Sequence, residues 1–360
     1  MTDHIYHRVA HVLDTLPNGF PPTESGVEIR LLKKIFTPEE AELFCELRLS
    51  LETPEQIALR TGRDLPSLEK MLDVMWREKG QIFGVSLGSV KLFKLAPWVV
   101  GIYEFQVTRM DEEFVKLCDE YNEVFAGQFF RADPPIMQVI PVETALPSSH
   151  QALPYEQVSA IIEKGVSFAT GECVCRKERR LLGKGCGKPA DLCLAIAPVA
   201  GIFDNHHWGR SISKEEAYRL LDAAEEAALV HQTMNVREGH YFICNCCGCC
   251  CGILRAINEY NIMSATSSNF YAVIDPGVCT GCGICADERC QIRAIEEHEG
   301  TFRIIEDRCI GCGLCITTCP VKAVSLMSRA EEVRQGKPVD EKDWFRERGH
   351  RRGVDWSRYE

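Results

Sequence analysis

Between Cys244 and Cys251, in the stretch FICNCCGCCCGIL, six of eight residues are cysteine. So many adjacent free thiols are an oxidation hazard, so what they bind constrains this chain more than any other feature. The chain has 20 cysteines in 360 residues, and all but Cys45 and Cys118 lie between 173 and 319. In a short secreted chain such a count would mean disulfides. This chain is long enough for about two or three domains. Its 45% hydrophobic content supplies ordinary cores without help from cysteine. The opening MTDHIYHRVAHVLDTLPNGF lacks a basic patch followed by an apolar run and a small-residue cleavage site. The longest apolar run, around LCLAIAPVAGIF, is too short to span a bilayer. The expectation is a cytoplasmic protein with no membrane span, in which dense cysteine means metal or redox chemistry. A formal net charge of −11 argues against broad affinity for nucleic acid or anionic membrane. It fits a protein redox partner with a basic docking patch.

The cysteines nearest the carboxy terminus form an internal repeat. VIDPGVCTGCGICADERCQIRAIEE and IIEDRCIGCGLCITTCPVKAVSL are two copies of one unit. Cys279, Cys282 and Cys285 match Cys309, Cys312 and Cys315 at an offset of 30, and Cys290 matches Cys319 at 29. Ile292/Val321, Ala294/Ala323 and Ile295/Val324 continue the match. Cysteines at every third position let one short loop present three thiolates to a [4Fe–4S] cube. Gly281, Gly283, Gly311 and Gly313 let that loop curl with its amides free to face sulfur. Zinc sites usually pair two CxxC units and do not run three cysteines at this spacing.

These runs resemble those of the bacterial two-cluster ferredoxins. The resemblance implies that the fourth cysteine of each run ligates the other cluster. One [4Fe–4S] cluster would then take Cys279, Cys282, Cys285 and Cys319, and the other Cys309, Cys312, Cys315 and Cys290. CIGCGLCITTCP fits the pattern fully, including Pro320. The first run departs from it, with four residues between Cys285 and Cys290 and Gln291 where proline is usual.

The upstream set is Cys173, Cys175, Cys186 and Cys193, then Cys244, Cys246, Cys247, Cys249, Cys250 and Cys251. Ten thiols could serve one or two further Fe–S clusters, a zinc site, or a buried loop without metal. Side chains alternate along an extended chain, so the run of six cannot all address one centre. Some must face a second centre or a segment such as 173–193, with Gly248 and Gly252 permitting sharp bends. Arg176, Lys177, Arg179, Arg180, Lys184 and Lys188 surround the first four cysteines and would favour thiolate there. The CCG pairs at 246–248 and 250–252 resemble the motif of heterodisulfide-reductase-type subunits. That family separates its copies widely, so its ligand assignments do not carry over. The combination with a dicluster end resembles multi-cluster electron-transfer proteins of anaerobes. His206 and His207 read as a surface loop pair. GKGCGKP misses the GxxxxGK[ST] pattern and no GxGxxG turn occurs, so no nucleotide site is visible.

The expected fold class is α+β. A lead (1–25) precedes a winged-helix-like domain (26–105), where two helices joined at Thr61-Gly62 are followed by a hairpin around Gly88. A helix and a proline-rich connection (106–154) carry Pro134, Pro135, Pro141, Pro147 and Pro154. A cysteine-rich, mainly α domain (155–270) includes a helix capped by Ser213 and Glu216. The dicluster ferredoxin domain (271–328) and a mixed-charge tail (329–360), read as a docking extension or disordered end, complete the chain. The helix from Asp64 to Lys79 lacks the net basic face of a DNA reader, so protein docking is expected of its domain. The leading functional reading is an iron–sulfur carrier, or the electron-transfer subunit of a low-potential anaerobic oxidoreductase, without substrate chemistry of its own. Alternatives are a redox- or oxygen-sensing winged-helix regulator, and a reductase with an upstream Fe–S or thiol catalytic site.

Overall fold

The computed structural model describes residues 3–146, 153–204, 209–331 and 336–360. His206, His207 and Pro147 lie outside the described residues. Helices and strands are mixed along the chain, as an α+β class requires.

The amino-terminal half is helical. Helix α1 (Asp3–Thr15) buries Ile5, Val9, Val12 and Leu13 at helical spacing against α2 (Val27–Ile35) and α3 (Pro38–Phe44). Thr37 starts α3 with a reciprocal capping box to Glu40, and Thr53 starts α4 (Pro54–Thr61) the same way with Gln56. Gly62 ends α4 in the left-handed conformation, and Asp64 caps α5 (Leu65–Asp73), which continues through a wider turn to Glu78. Strands β1 (Phe83–Leu87) and β2 (Val90–Lys94) form the hairpin, and Glu52 adds one antiparallel bridge to Phe93. A single turn, α6 (Tyr103–Phe105), leads to α7 (Glu112–Phe129), capped by Asp111. Its apolar stripe of Phe114, Val115, Leu117, Cys118, Tyr121, Phe125 and Phe129 is buried.

The middle of the chain is organised by a sheet, which corrects the expectation of a mainly α domain. Its strands are β3 (Met137–Ile140), β4 (Ser167–Gly171), β5 (Cys193–Ala197), β6 (Gly209–Ile212), β7 (Val230–Met234), β8 (Phe242–Cys246) and β9 (Thr266–Ser267), in the order β6-β4-β5-β8-β7-β3-β9. All pairs are antiparallel except β3 with β9. Helices α8 (Val158–Lys164), α9 (Val174–Leu181), α10 (Lys214–Glu226) and α11 (Gly252–Tyr260) connect and cover the strands. The proline-rich connection therefore supplies a wholly buried strand, β3, instead of acting only as a linker.

In the last third, β10 (Phe270–Ile274) pairs with β13 (Val324–Ser328), and β11 (Ile295–His298) with β12 (Thr301–Ile304). The mixed-charge tail folds back as α12 (Glu341–Arg352), which corrects the reading of a disordered end. Trp344 and Arg348 are fully buried there. Trp344 Nε1 donates to Pro135 O at 3.0 Å, while Arg348 donates to Pro134 O at 2.7 Å and Phe129 O at 2.6 Å. These carbonyls lie at the last residue of α7 and just beyond it, where no helix continues to satisfy them. Among the described residues, no helix is long and apolar enough to cross a membrane.

Candidate metal centres

The cysteine repeat folds into two tight loops. Gly281, Gly283, Gly311 and Gly313 all have positive φ. At Gly281 an added Cβ would lie 2.4 Å from Gly300 O, and at Gly311 2.2 Å from Phe270 O. Conformation and space together thus demand glycine between the first two cysteines of each run. Cys279, Cys282 and Cys285 of the first run and Cys319 of the second line one cavity, closed by Ile274, Phe302, Pro320, Val321 and Val324. Cys290 lies within electrostatic reach of Cys309, Cys312 and Cys315, so the other fourth cysteine also crosses between runs. Burial pushes the Cys290 and Cys315 thiols up, and that of Cys312 to about 12.

Backbone amides face these sulfurs. Ala294 N donates to Cys290 Sγ at 3.2 Å, and its repeat equivalent Ala323 N to Cys319 Sγ at 3.3 Å. Cys309 Sγ accepts from Ala272 N at 3.3 Å and Gly311 N at 3.4 Å.

The ten upstream thiols separate into two groups. Strand register explains the larger one. Gly171 at the end of β4 stands opposite Cys193 at the start of β5, and β8 beside β5 carries Cys244 and Cys246. Cys173 and Cys251 are the N-caps of α9 and α11. Cys175, Cys173, Cys193, Cys244, Cys246 and Cys251 act on one another in that order around a closed ring, Cys251 again influencing Cys175. The neighbouring thiols of Cys175 and Cys193 hold Cys173 well below the usual thiol range. Cys251, beside Cys175 and Cys246 and facing the first amides of α11, is held down likewise.

The smaller group is Cys186, Cys247, Cys249 and Cys250, whose sulfurs all lie within 4.8 Å of one another. Cys250 Sγ donates to Cys186 Sγ at 3.6 Å and to Cys249 Sγ at 3.8 Å, and Cys186 and Cys247 are 3.9 Å apart.

Most of the basic residues around the first four cysteines are already answered by carboxylates. Lys177 and Arg180 pair with Glu172, and Arg179 and Lys184 with Asp119. Arg176 differs. It is buried between the thiol groups, donates to Asn245 O at 2.6 Å, and leaves Nε and Nη1 without a hydrogen-bond partner.

Arg289 and Arg308, which the motifs did not single out, and Gln291 tie the carboxy-terminal unit to α10, α11 and the CCGCCC turn. Arg289 donates to Glu225 O at 2.7 Å and Glu226 O at 3.1 Å, the carbonyl end of α10. Arg308 donates to Ile292 O at 2.6 Å and Asn258 Oδ1 at 3.2 Å. Gln291, flagged only as a departure from the ferredoxin pattern, accepts from Gly248 N at 3.0 Å.

The family described as 4Fe-4S binding domain matches residues 302–325, which include Cys309, Cys312, Cys315 and Cys319. A ferredoxin of Pyrobaculum islandicum is 36% identical over 75 residues, covering 21% of this chain and 65% of its own. An uncharacterized ferredoxin of Methanocaldococcus jannaschii is 32% identical over 90 residues, covering 25% of this chain and 53% of its own. The chain thus spans about half to just under two thirds of the length of these relatives. No solved structure matches the chain. Residues 302–325 are therefore a 4Fe-4S ferredoxin-type segment.

Proposed function

We propose that this chain is an iron–sulfur electron-transfer protein, either a carrier or the electron-transfer subunit of a low-potential redox enzyme. Two [4Fe–4S] clusters would be held by Cys279, Cys282, Cys285 and Cys319, and by Cys309, Cys312, Cys315 and Cys290. The observation that carries this reading is the cavity lined by three cysteines of one run and the fourth of the other. Four thiols around an otherwise apolar pocket fit a cluster that takes thiolate donors and excludes water. When bound, such clusters accept and release single electrons, with potentials set by charge, hydrogen bonds to sulfur and solvent exposure.

The chain's own part is to hold and to tune. Ala294, Ala323, Ala272 and Gly311 aim amides at ligand sulfurs. Each donor stabilises added negative charge there. The ring of Cys173, Cys175, Cys193, Cys244, Cys246 and Cys251 would hold a further Fe–S centre, facing the amino-terminal ends of α9 and α11, where helix dipoles favour anions. The helical region with the β1–β2 hairpin has the element order of a winged helix. Its α5 segment carries acidic as well as basic side chains, with Lys91 paired to Asp73 and Lys79 to Glu40. We assign it to docking a redox partner protein.

Anaerobic purification with counting of iron and acid-labile sulfide tests the reading. At least about eight of each per chain are expected for two cubes. Cys319→Ser should then remove the electron paramagnetic resonance signal of one cube and Cys290→Ser that of the other. A colourless protein that stays free of iron after reconstitution would overturn the assignment.

A further inference from the structure

The smaller upstream thiol group has the dimensions of a different kind of centre. One ion at the middle of a thiolate tetrahedron, with metal–sulfur bonds of about 2.3 Å, sets its sulfurs about 3.8 Å apart. The separations of 3.6, 3.8 and 3.9 Å among Cys186, Cys247, Cys249 and Cys250 match that edge. A cube attaches each thiolate to a different iron corner and holds them farther apart. Among the described residues, this is the one group of three or more possible ligands with all donor atoms within 4.8 Å of one another. The eight carboxy-terminal cysteines and the ring of six do not meet that spacing.

We propose that Cys186, Cys247, Cys249 and Cys250 bind a single zinc ion in a closed tetrathiolate site, separate from every iron–sulfur centre. A four-sulfur tetrahedron selects soft, four-coordinate ions, and four protein ligands leave no open position for substrate, so the site is structural. Binding releases the thiol protons and leaves a doubly negative zinc–thiolate unit. Arg176 supplies the second, independent observation. Arg176 is 4% exposed, its guanidinium has two unpartnered nitrogens, and Asn245 O is its hydrogen-bond partner. A buried cation in that condition calls for neighbouring negative charge, and it lies within electrostatic reach of Cys247 in this group as well as of Cys173, Cys193 and Cys246 in the ring. Cys186 and Cys249 are exposed, which gives the ion access.

The ion would pin the loop after α9 to the CCGCCC turn. Cys173 N to Ala190 O, at 2.9 Å, ties down the far side of that loop. Gly248, between ligands, is the contact point for Gln291 of the first cysteine run. The zinc site therefore sets the surface on which the ferredoxin-type unit sits.

The test uses the full chain purified without air, with zinc, iron and acid-labile sulfide measured on each sample. About one zinc per chain is expected. Cys186→Ser and Cys249→Ser should each lose that zinc while iron and sulfide stay at the unmutated level. Cobalt substitution should give the intense visible bands of a tetrahedral tetrathiolate, absent in both variants. Loss of about four irons and four sulfides from either variant would show a cube and overturn the proposal. A mononuclear iron signal lost with the same variants would overturn the identity of the ion. Unchanged metal content in both would overturn the site. Failure of the carboxy-terminal assignment reads differently, as absence of the iron that Cys319→Ser and Cys290→Ser should remove.

Discussion

The side-chain oxygen of Gln291 accepts a hydrogen bond of 3.0 Å from the backbone N–H of Gly248. Gln291 stands where the second run carries Pro320, and a proline side chain could not accept that bond. The departure from the ferredoxin pattern is thus the contact that joins the first run to the CCGCCC turn. Cys290 is bonded to one partner of this contact and Cys247 and Cys249 to the other, and Asn258 Nδ2 braces it by donating to Gly248 O at 3.1 Å and Gln291 O at 2.9 Å.

Gly248→Ala should open that junction. The added Cβ would lie 1.9 Å from Gln291 O and 2.8 Å from Asn258 Nδ2. The first atom is backbone and cannot swing aside, so the expected cost is about 1–3 kcal/mol. Gln291→Ala loses only the side-chain bond, about 1 kcal/mol. Hydrogen exchange across 286–294 should rise strongly in the first variant and modestly in the second. Equal exchange in both would contradict the steric account.

Arg348 anchors the returning tail. It is fully buried, donates to the carbonyls of Phe129, Ala132 and Pro134, and lies 5.0 Å from the Phe129 ring centroid. Arg348→Met keeps much of the volume but strands these acceptors, so a loss of about 2–4 kcal/mol is expected. Arg348→Lys should recover part of it, because an ammonium reaches fewer of the three at once. Denaturant unfolding of the two variants checks the order.

What could be read in advance was what local spacing dictates. Cysteines three apart with glycine between them specify a loop whatever the surroundings, and Gly281 and Gly311 take the positive φ that such a loop requires. Thr53, Asp64 and Ser213 start helices because their oxygens meet amides three residues on. The seven-stranded sheet was not legible. Its strands have two to five residues. CLAIA and FICNC owe their place to partners far along the chain, Leu194 opposite Ile243 for instance. The tail misled for a related reason. Arg348 reads as a solvated charge until carbonyls more than 200 residues away are brought to it. The division of the upstream thiols into a ring and a tetrad depends on that same sheet, which decides which of six neighbouring cysteines meet Cys173, Cys175 and Cys193 and which meet Cys186.

Lys337 should make stability depend on alkaline pH. It is 7% exposed, with Nζ against Asn235 Oδ1 at 3.2 Å and Ser267 Oγ at 2.5 Å. Burial pulls its ammonium down from the usual 10.5 to about 7. Between those values the unfolded chain binds a proton that the folded chain does not, so this group raises stability as pH rises from about 7 towards 10.5. Below about 7 both states are protonated and its slope vanishes. Lys337→Met should flatten the slope in that window. Urea midpoints at pH 7, 8 and 9 for both proteins check it, and parallel curves would refute the assignment.

Arg293 and Lys322 occupy equivalent places in the two cysteine runs, one residue before the amides that face Cys290 and Cys319. Both have positive φ, 52° and 55°, and both side chains are exposed. The left-handed turn is what swings the amide of the next residue onto sulfur, at 3.2 Å for Ala294 and 3.3 Å for Ala323. A residue branched at Cβ resists that conformation, at a cost of about 1–2 kcal/mol, whereas glycine accepts it. Lys322→Val should therefore tilt the Ala323 amide away from Cys319 and weaken the donor. Donors to ligand sulfur favour the reduced cluster, so the potential of the cube served by Cys319 should fall while that served by Cys290 stays in place. Lys322→Gly, which removes the same charge and keeps the turn, should leave both potentials near the unmutated values apart from the small common effect of charge. Arg293→Val should give the mirror result at the other cube. Protein-film voltammetry on the four proteins reads each potential, and a fall in Lys322→Gly as large as in Lys322→Val would assign the effect to charge and exclude the amide.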